Sequence, residues 1–384
     1  MRIVIALDSF KGSLSAPRAC AAVGEGLRAA VPAVECVLKP MADGGEGTAA
    51  TLLAARPGGH WIPQRVQGPR PPHEVTAGFA WFPADATAVI EMATASGLPL
   101  LAEHERNPLL TSTYGTGQLL EAACEQGARH ILLTLGGSAT VDGGVGAASA
   151  LGWRFLDARG GAVPAGGGGL NAIARIERPA AERDWPTVTM LCDVTNPLCG
   201  PRGAAAVFGP QKGATPAMVA ELDAGLANLA ARMRADLGRD VLDLPGGGAA
   251  GGLGAGAVVF FHAQYAAGIT AVMDAIGLKD ALAGADWCIT GEGSFDSQSL
   301  DGKVVSGVAE VAQAAGVPVA VFAGQAHVAP DLCRARGIHD VRALQVPGMP
   351  LAESLRRTPE LLRQTAADWV RGRSAALPTA RCGV

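Results

Sequence analysis

The stretch 285–307, ADWCITGEGSFDSQSLDGKVVSG, decides the fold that the sequence predicts. It opens with a short apolar run, 287–290, of the kind that forms a strand buried on both faces. The strand breaks at Gly291, and apolar residues at helical spacing resume after Lys303 and end at Gly316. A second apolar run follows at 317–323. We therefore predict a strand–loop–helix–strand unit from a parallel α/β sheet.

The loop inside this unit carries most of its charge. Only 17% of the chain is charged, yet four charges fall within the twelve residues 292–303. Ligands of parallel α/β sheets bind at the carboxyl ends of the strands, where this loop lies. We interpret it as a binding or catalytic loop, and a solvated turn is the alternative. Its polar side chains include Glu292, Asp296, Gln298, Asp301 and Lys303.

Composition limits the classes of protein that fit. A chain of 384 residues with 49% apolar residues predicts two well-packed domains, or one large domain with an insertion. The net charge of −4 gives no electrostatic footprint for nucleic acid. The apolar run 3–7 is too short for a signal peptide, and no run approaches the length of a membrane span. Eight scattered cysteines without ligand spacing predict reduced thiols in a cytoplasmic protein.

The amino-terminal region repeats the pattern of the later unit, in which a buried strand is followed by a polar loop and a helix. Residues 2–7 read as a buried strand ending at Asp8, and the following loop offers Lys11 and Ser13 before a helix that opens near Ser15. A second strand, 35–41, ends in the loop 42–48, which contains Asp43, Glu46 and three glycines. Helix capping would explain one acid in such a loop. It does not explain the two Gly-flanked acids, Asp43 and Glu46, together.

The middle of the chain differs in character. Short antiparallel strands are expected at 74–81 and 87–92, which marks a second domain. We predict a discontinuous α/β domain with a parallel sheet, 1–60 with 285–384, and an inserted mixed α/β domain, 61–284. In the inserted domain, a strand at 130–135 leads into the loop 136–144, GGSATVDGG, which resembles a phosphate cradle. A tight turn accounts for its glycines but not for Ser138, Thr140 and Asp142 between them. The candidate phosphate contacts are Gly136, Gly137, Ser138 and Thr140.

A further strand, 188–192, ends at Asp193, and Arg202 and Lys212 follow. The loops together supply acids, bases, glycines and hydroxyls, which is the mixture that phosphoryl transfer requires. The chain has no G-x-x-x-x-G-K-[ST] motif, so it is not a P-loop enzyme. Gly24-x-Gly26 falls inside a predicted helix and is a chance match to a dinucleotide fingerprint. The residues alone therefore favour a phosphotransferase of another kind.

Seven motifs in order resemble those of the bacterial class I glycerate kinases. They are DSFKGSLSA (8–16), MADGGEGT (41–48), TSTYGTG (111–117), GGSATVDGG (136–144), CDVTNPLCGPRGAAAVFGPQKGA (192–214), GAAGGLGAG (248–256) and TGEGSFDSQSLDGK (290–303). The resemblance covers nearly the whole chain. Val141, Ser294 and Val305 depart from the residues that many relatives carry, Asn, Arg and Pro respectively. Ser294 removes a basic phosphate contact at that position.

The resemblance implies ATP- and Mg²⁺-dependent phosphorylation of D-glycerate, usually at the 2-hydroxyl, to give 2-phosphoglycerate. It also implies an active site in the cleft between a Rossmann-like domain and a second α/β domain. The expected small-molecule partners are ATP and glycerate, without nucleic acid or membrane. The sequence does not fix the oligomeric state, for which a homodimer is one option.

We assign candidate roles on this basis. Asp296 is predicted to accept the proton of the glycerate hydroxyl and Asp193 to hold Mg²⁺, although the sequence alone does not divide these two roles. Asp8 and Asp43 are further candidate metal ligands. Lys11 and Lys303 are predicted to neutralise phosphoryl oxygens, and Arg202 to grip the glycerate carboxylate. The candidate substrate contacts are Arg202, Ser13, Asp8, Glu292, Gln298 and Lys212.

Alternatives to a glycerate 2-kinase remain open at this point. The acceptor could be the 3-hydroxyl, which would give 3-phosphoglycerate. A phosphatase-type hydrolase with Asp8 as nucleophile would want a second acid two residues on, where Phe10 stands. A non-catalytic binding protein for small hydroxy acids would not need so many acids, and ATP binding would separate it from a kinase.

Overall fold

The computed structural model describes residues 1–181, 184–296, 299, 303–346 and 348–374. The interpretations of Gln298 and Asp301 lie outside these residues. The chain divides into two compact units. Unit 1 comprises Met1–Asp43, Ala50–Pro57 and the described residues from Ile269 onward, and unit 2 comprises Gly44–Ala49 and Gly58–Gly268.

The strands and helices are numbered along the chain. The strands are β1 (Arg2–Leu7), β2 (Glu35–Leu38), β3 (His60–Gln67), β4 (Glu74–Phe82), β5 (Thr87–Glu91), β6 (His130–Thr134), β7 (Arg154–Leu156), β8 (Arg175–Glu177), β9 (Thr187–Leu191), β10 (Gln264–Ala266), β11 (Trp287–Gly291), β12 (Ser294–Phe295), β13 (Val319–Ala323), β14 (Gln325–Ala326) and β15 (Ile338–Ala343). The α-helices are α1 (Ala16–Ala30), α2 (Thr48–Ala55), α3 (Ala93–Ser96), α4 (Tyr114–Glu125), α5 (Val145–Ala150), α6 (Ala204–Phe208), α7 (Pro216–Leu237), α8 (Leu253–Phe260), α9 (Gly268–Ile276), α10 (Leu278–Leu282), α11 (Val304–Ala314), α12 (Pro330–Ala335) and α13 (Leu351–Ser374).

Unit 1 is built on a five-stranded sheet with the order β15-β13-β11-β1-β2, in which every neighbouring pair is parallel. The register pairs Ile3 with Trp287 and Ile5 with Ile289. The prediction that residues 3–7 and 288–290 share one parallel sheet is therefore confirmed. Strands β1 and β13 are almost wholly buried, as the continuous apolar runs of the sequence predict. The carboxyl ends of all five strands consequently lie along one edge of this sheet.

Helices α1 and α13 pack closely because α1 carries a glycine at their contact. A Cβ built on Gly26 would lie 2.2 Å from the backbone carbonyl oxygen of Arg363 on α13, which no real side chain tolerates. At Gly24, two residues earlier, the nearest atom to an added Cβ is the Cδ2 of Leu38 at 3.3 Å, a side-chain end that can shift. Gly24 and Gly26 lie inside α1, so the interpretation as a chance dinucleotide fingerprint holds.

We expect Gly26→Ala to lower the free energy of unfolding by about 1–3 kcal/mol, the usual range for overpacking. The matched control is Gly24→Ala in the same helix. It should be neutral or stabilising by up to about 1 kcal/mol, because alanine favours the helix over glycine. Urea denaturation of both variants checks the pair. Equal stabilities would contradict the close contact between α1 and α13.

Unit 2 contains a six-stranded mixed sheet with the order β10-β9-β6-β5-β4-β3. Strands β3, β4 and β5 pair antiparallel, as the sequence predicts for 74–81 and 87–92, and β5, β6, β9 and β10 pair parallel. The unit has its own apolar core, centred on side chains such as Phe79, Leu133 and Phe260. The predicted α/β class, with a parallel-sheet unit and a second mixed unit, is confirmed. Among the described residues no helix is long and apolar enough to cross a membrane.

One helix begins earlier than the sequence indicates. The hydroxyl-rich segment 111–117 is expected to be a loop before a helix at 119, but α4 starts at Tyr114. The reason lies outside the segment. The Asp142 carboxylate accepts hydrogen bonds from the backbone N–H and the hydroxyl of Thr113, at 2.8 and 2.9 Å. This distant acid fixes the residue before the helix, which local sequence signals do not reveal.

Candidate active site

A cavity of about 470 Å³ lies at the carboxyl edge of the unit 1 sheet. Asp8 lines it directly after β1, Glu292 directly after β11, and Leu344 directly after β15. The position follows the general rule for parallel sheets, in which loops after the strands hold the ligand. Predicted site residues that line this one cavity are Asp8, Lys11, Glu292, Asp296 and Lys303. Residues separated by almost 300 positions in the chain therefore share a single site.

The surroundings of the Asp8 carboxyl raise its pKa. Burial raises its pKa to about 7, and repulsion from Asp43 and Glu292 acts in the same direction. The backbone N–H of Ser9, which donates to Asp8 Oδ1 at 2.6 Å, and the charge of Lys11 act in the opposite direction. At neutral pH this carboxyl exchanges readily between its protonated and ionised forms. Such a perturbed acid in a cavity is typical of functional sites.

Glu292 has a buried oxygen that its surroundings do not satisfy. Its Oε1 has no hydrogen-bond partner among the described residues. Burial raises the pKa of its carboxyl, opposed first by the hydrogen bond from Ser299 and then by the charge of Lys303. An unsatisfied buried oxygen costs stability unless a ligand or cation completes it. Glu292 is therefore suited to bind a hydroxyl group or a cation.

Asp296 follows the short strand β12 and sits in a local turn. Its Oδ1 accepts from the backbone N–H of Ser299 at 3.3 Å, and the Asp296 N–H donates to Ser299 Oγ at 3.2 Å. The Ser299 hydroxyl in turn donates to the carbonyl of Ser294 at 3.2 Å. These bonds hold the carboxylate at the wall of the cavity. An asparagine would preserve them, which makes a charge-only substitution possible.

The two lysines of the cavity are exposed and stand on turns. Lys11 lies in a turn closed by hydrogen bonds between the backbones of Phe10 and Leu14, at 2.8 and 2.9 Å. Lys303 is the residue before α11, and its carbonyl accepts the Ser306 hydroxyl at 2.9 Å. Both charges act on the Glu292 carboxyl. Two exposed ammonium groups beside acids can neutralise an anionic group that enters.

Ser13 does not line the cavity among the described residues. Its hydroxyl donates to the backbone carbonyl of Leu355 at 2.5 Å, which ties the amino-terminal loop to α13. In this arrangement Ser13 positions the cavity wall.

In unit 2 the loop 136–144 meets the loop that carries Lys212. The Lys212 side chain is 2% exposed, and its Nζ donates to Ser138 Oγ at 2.6 Å and to the Thr140 carbonyl at 2.8 Å. Burial lowers the pKa of Lys212 to about 7, although the charge of Asp142 acts against this shift. The Thr140 hydroxyl oxygen is buried without a hydrogen-bond partner among the described residues. Two motifs separated by 74 residues are thus joined by a buried lysine.

We expect Lys212→Met to remove a pH-dependent part of the stability. The pKa of Lys212 is 10.5 ordinarily and about 7 when folded. Between these values the unfolded chain binds the extra proton. Stability in the wild type should therefore rise with pH from about 7 by up to about 1.4 kcal/mol per pH unit.

Chemical denaturation from pH 6.5 to 8.5 measures the free energy of unfolding of wild type and Lys212→Met. The difference between the two proteins at each pH removes the contribution of the other titrating groups, which both proteins share. Stabilities that run parallel with pH would contradict the buried position of this amine.

Asp193 and Arg202 are exposed residues of unit 2. Asp193 Oδ1 accepts from the backbone N–H of Gly268 at 3.0 Å. The carbonyl of Arg202 accepts from Asn196 Nδ2 at 2.8 Å, which orders the loop after β9. Asp43 belongs to unit 1 and is partly buried.

Comparisons with known proteins agree on one family. The model of the glycerate kinase family matches residues 3–373. This chain belongs to the glycerate kinase family. A glycerate kinase from Halalkalibacterium halodurans is 43% identical over 368 residues, which cover 95% of this chain and 96% of the relative. A glycerate 2-kinase from Escherichia coli K12 is 44% identical over 330 residues, which cover 84% and 85% of the two chains.

A solved structure extends the likeness of this glycerate kinase family member to three dimensions. A crystal structure from Salmonella typhimurium LT2, assigned provisionally as glycerate kinase 2, matches with a TM-score of 0.89 and 42% identity. The match covers 98% of this chain and 99% of that one. The resemblance carried by the seven motifs is therefore confirmed at the level of the family.

Two acids of this family member were not among the predicted site residues. Glu91 ends β5 and is 6% exposed, and it accepts hydrogen bonds from the backbone N–H groups of Gly47 and Ala49, at 3.1 and 2.7 Å. It shapes the loop 44–48. Asp142 is fully buried and accepts from Thr113, Gly144 and Gly146. Glu91 falls inside the strand predicted for 87–92, so the rule of an acid after a strand, which selects Asp8, does not select it. Asp142 belongs to the loop 136–144, where a tight turn does not explain it, but the sequence alone assigns it no role.

The donor set of unit 1 fits a divalent cation. Within the described ranges, no three acid, His or Cys side chains form a preformed metal cluster. The repulsion of the Asp8 carboxylate by Asp43 and by Glu292, with the unsatisfied Glu292 Oε1, nevertheless marks a place where positive charge is stabilising. Carboxylate oxygens are the ligands that Mg²⁺ prefers.

Proposed function

We propose that this protein transfers the γ-phosphoryl group of ATP to the 2-hydroxyl of D-glycerate, giving 2-phosphoglycerate. The observation that carries the proposal is the unit 1 cavity, where acids and lysines meet at the carboxyl ends of parallel strands. The family supports the substrate, and the name of the Escherichia coli relative supports the 2-hydroxyl over the 3-hydroxyl. A cytoplasmic location and the domain division 1–60 with 285–384 and 61–284 belong to the same proposal.

In unit 1, Asp296 accepts the proton of the attacking hydroxyl, because its carboxylate stands at the cavity wall with its turn fixed by Ser299. Lys11 and Lys303 neutralise charge that develops on the transferred phosphoryl group. Asp8 and Glu292 accept hydrogen bonds from the hydroxyl groups of glycerate, with Gln298 as a further contact in the proposal. Ser13, a candidate substrate contact from the sequence, acts here only through its hydrogen bond to Leu355.

In unit 2, the loop that begins at Gly136 and Gly137 contacts the ATP phosphates, together with Ser138 and Thr140. Arg202 grips the glycerate carboxylate, since its planar fork suits two oxygens. Lys212 supports the phosphate loop through its hydrogen bonds to Ser138 and Thr140.

The first candidate ligand for Mg²⁺ in this proposal is Asp193, and Asp8 and Asp43 are the alternative candidates. The bound cation would neutralise phosphate oxygens and orient them for in-line transfer.

The test is direct. Purified protein is incubated with ATP, Mg²⁺ and D-glycerate, and the product is identified by phosphorus NMR. A signal of 2-phosphoglycerate supports the proposal. A signal of 3-phosphoglycerate corrects the position of transfer, and consumption of ATP without an acceptor-dependent product, or no consumption, overturns the proposed activity.

A further inference from the structure

The unit 1 cavity has an apolar part that the proposed chemistry does not use. Leucine side chains at the start of α13 line it alongside the charged residues. Leu351 is 65% exposed and Leu355 is 36% exposed. Leu344 after β15 and Phe10 extend the same apolar lining. Exposed leucines that line a cavity, rather than standing singly on the surface, indicate a ligand with an apolar part.

The size of the cavity points the same way. Glycerate is only a few times larger than water, whose share of liquid volume is about 30 Å³. It would leave most of the 470 Å³ empty. Cavities of about 300–1,000 Å³ commonly take ligands of the size of a nucleoside or larger. A second, larger group therefore fits beside the acceptor.

We propose that this apolar part of the cavity binds the nucleoside of ATP, with the base against Leu351 and Leu355. The inference rests on the proposed function, which assigns contacts only to the phosphates. Charge complementarity favours this occupant. The nucleoside is neutral, and the side chains of α13 that line the cavity, Leu351, Ser354, Leu355 and Thr358, carry no charge that would hold a second organic acid. The side-chain amides of Gln325 and Gln345, which also line the cavity, can hydrogen-bond the edge of the base.

The experiment compares Leu351→Ala/Leu355→Ala with the control Leu332→Ala. Leu332 is a 54% exposed leucine of α12 in the same unit and does not line the cavity. Calorimetric titration with ADP should show the Kd raised by about 10- to 100-fold in the double variant, since lost apolar contacts in a pocket typically cost this much. The KM for ATP should rise similarly, while the KM for glycerate stays unchanged. The control should match the wild type in all three.

An unchanged Kd for ADP in the double variant would overturn the proposal. A rise confined to the KM for glycerate would also overturn it and would assign the leucines to the acceptor. If circular dichroism shows the double variant misfolded, Leu351→Ser alone replaces it, because that side chain is largely exposed at the first residue of its helix. Failure of the proposed function is separable. A wild type that makes no phosphoglycerate but binds ADP, with weaker binding in the leucine variant, refutes the activity and supports the nucleoside site.

Discussion

Lys303→Ala is expected to lower kcat by about 10²–10³-fold, as loss of a preorganised group that stabilises developing charge typically does. Lys303 lines the unit 1 cavity and its charge already acts on Glu292. During transfer the phosphoryl oxygens need neutralising, and an alanine cannot supply that charge. Lys11→Ala should have an effect of the same order, because Lys11 shares the cavity. Steady-state kinetics with saturating ATP and glycerate measure both.

The matched control is Lys279→Ala. Lys279 is an exposed lysine of α10 in the same unit, outside the cavity lining. The Lys279→Ala substitution removes one positive charge from unit 1 but none from the cavity, so kcat should stay near the wild-type value. Thermal denaturation should give similar Tm values for all three variants, because each lysine is exposed. A rate for Lys11→Ala or Lys303→Ala as high as the control removes that lysine from the catalytic site.

Much of the unit 1 site could be predicted from the sequence because one local rule applies to it. A buried apolar strand followed by glycine and an acid can be recognised within about ten residues, and parallel sheets collect such ends along one edge. The rule predicts that the strands ending at Asp8 and Glu292 belong to one sheet, and the two strands are neighbours in it. Short strands after a segment dense in proline and glycine likewise predict the antiparallel start of unit 2, where β4 pairs with β5.

The remaining features depend on contacts between distant residues. Nothing near Lys212 in the sequence indicates that its amine is buried against Ser138, since a glycine-flanked lysine ordinarily reads as exposed. Gly26 reads as a weak point of a helix until the backbone of Arg363 is placed against it. Leu351 and Leu355 read as the apolar face of an ordinary terminal helix. Whether such a face meets the core or a ligand is decided by packing that no local pattern encodes.

Asp296→Asn is expected to lower kcat by about 10²–10⁴-fold, the usual contribution of a general base, while binding of ADP with Mg²⁺ is retained. The asparagine Oδ1 still accepts the Ser299 N–H, so the turn and the stability should be preserved. If the carboxylate served only to cap this turn, the substitution would leave the rate nearly unchanged. Single-turnover kinetics and ADP calorimetry on the same preparation separate loss of chemistry from loss of binding.

Asp193→Asn is expected to act differently. Its Oδ1 keeps the hydrogen bond from Gly268, but it loses the charge proposed to hold the cation. The Mg²⁺ concentration for half-maximal rate should rise by about tenfold or more, since even changes around metal ligands typically cost that much, and excess Mg²⁺ should restore kcat. Wild-type activity in either variant removes its proposed role. The opposite pattern would exchange the two roles. In that case Asp296→Asn raises the Mg²⁺ concentration needed for half-maximal rate, and Asp193→Asn lowers kcat in a way that excess Mg²⁺ does not restore.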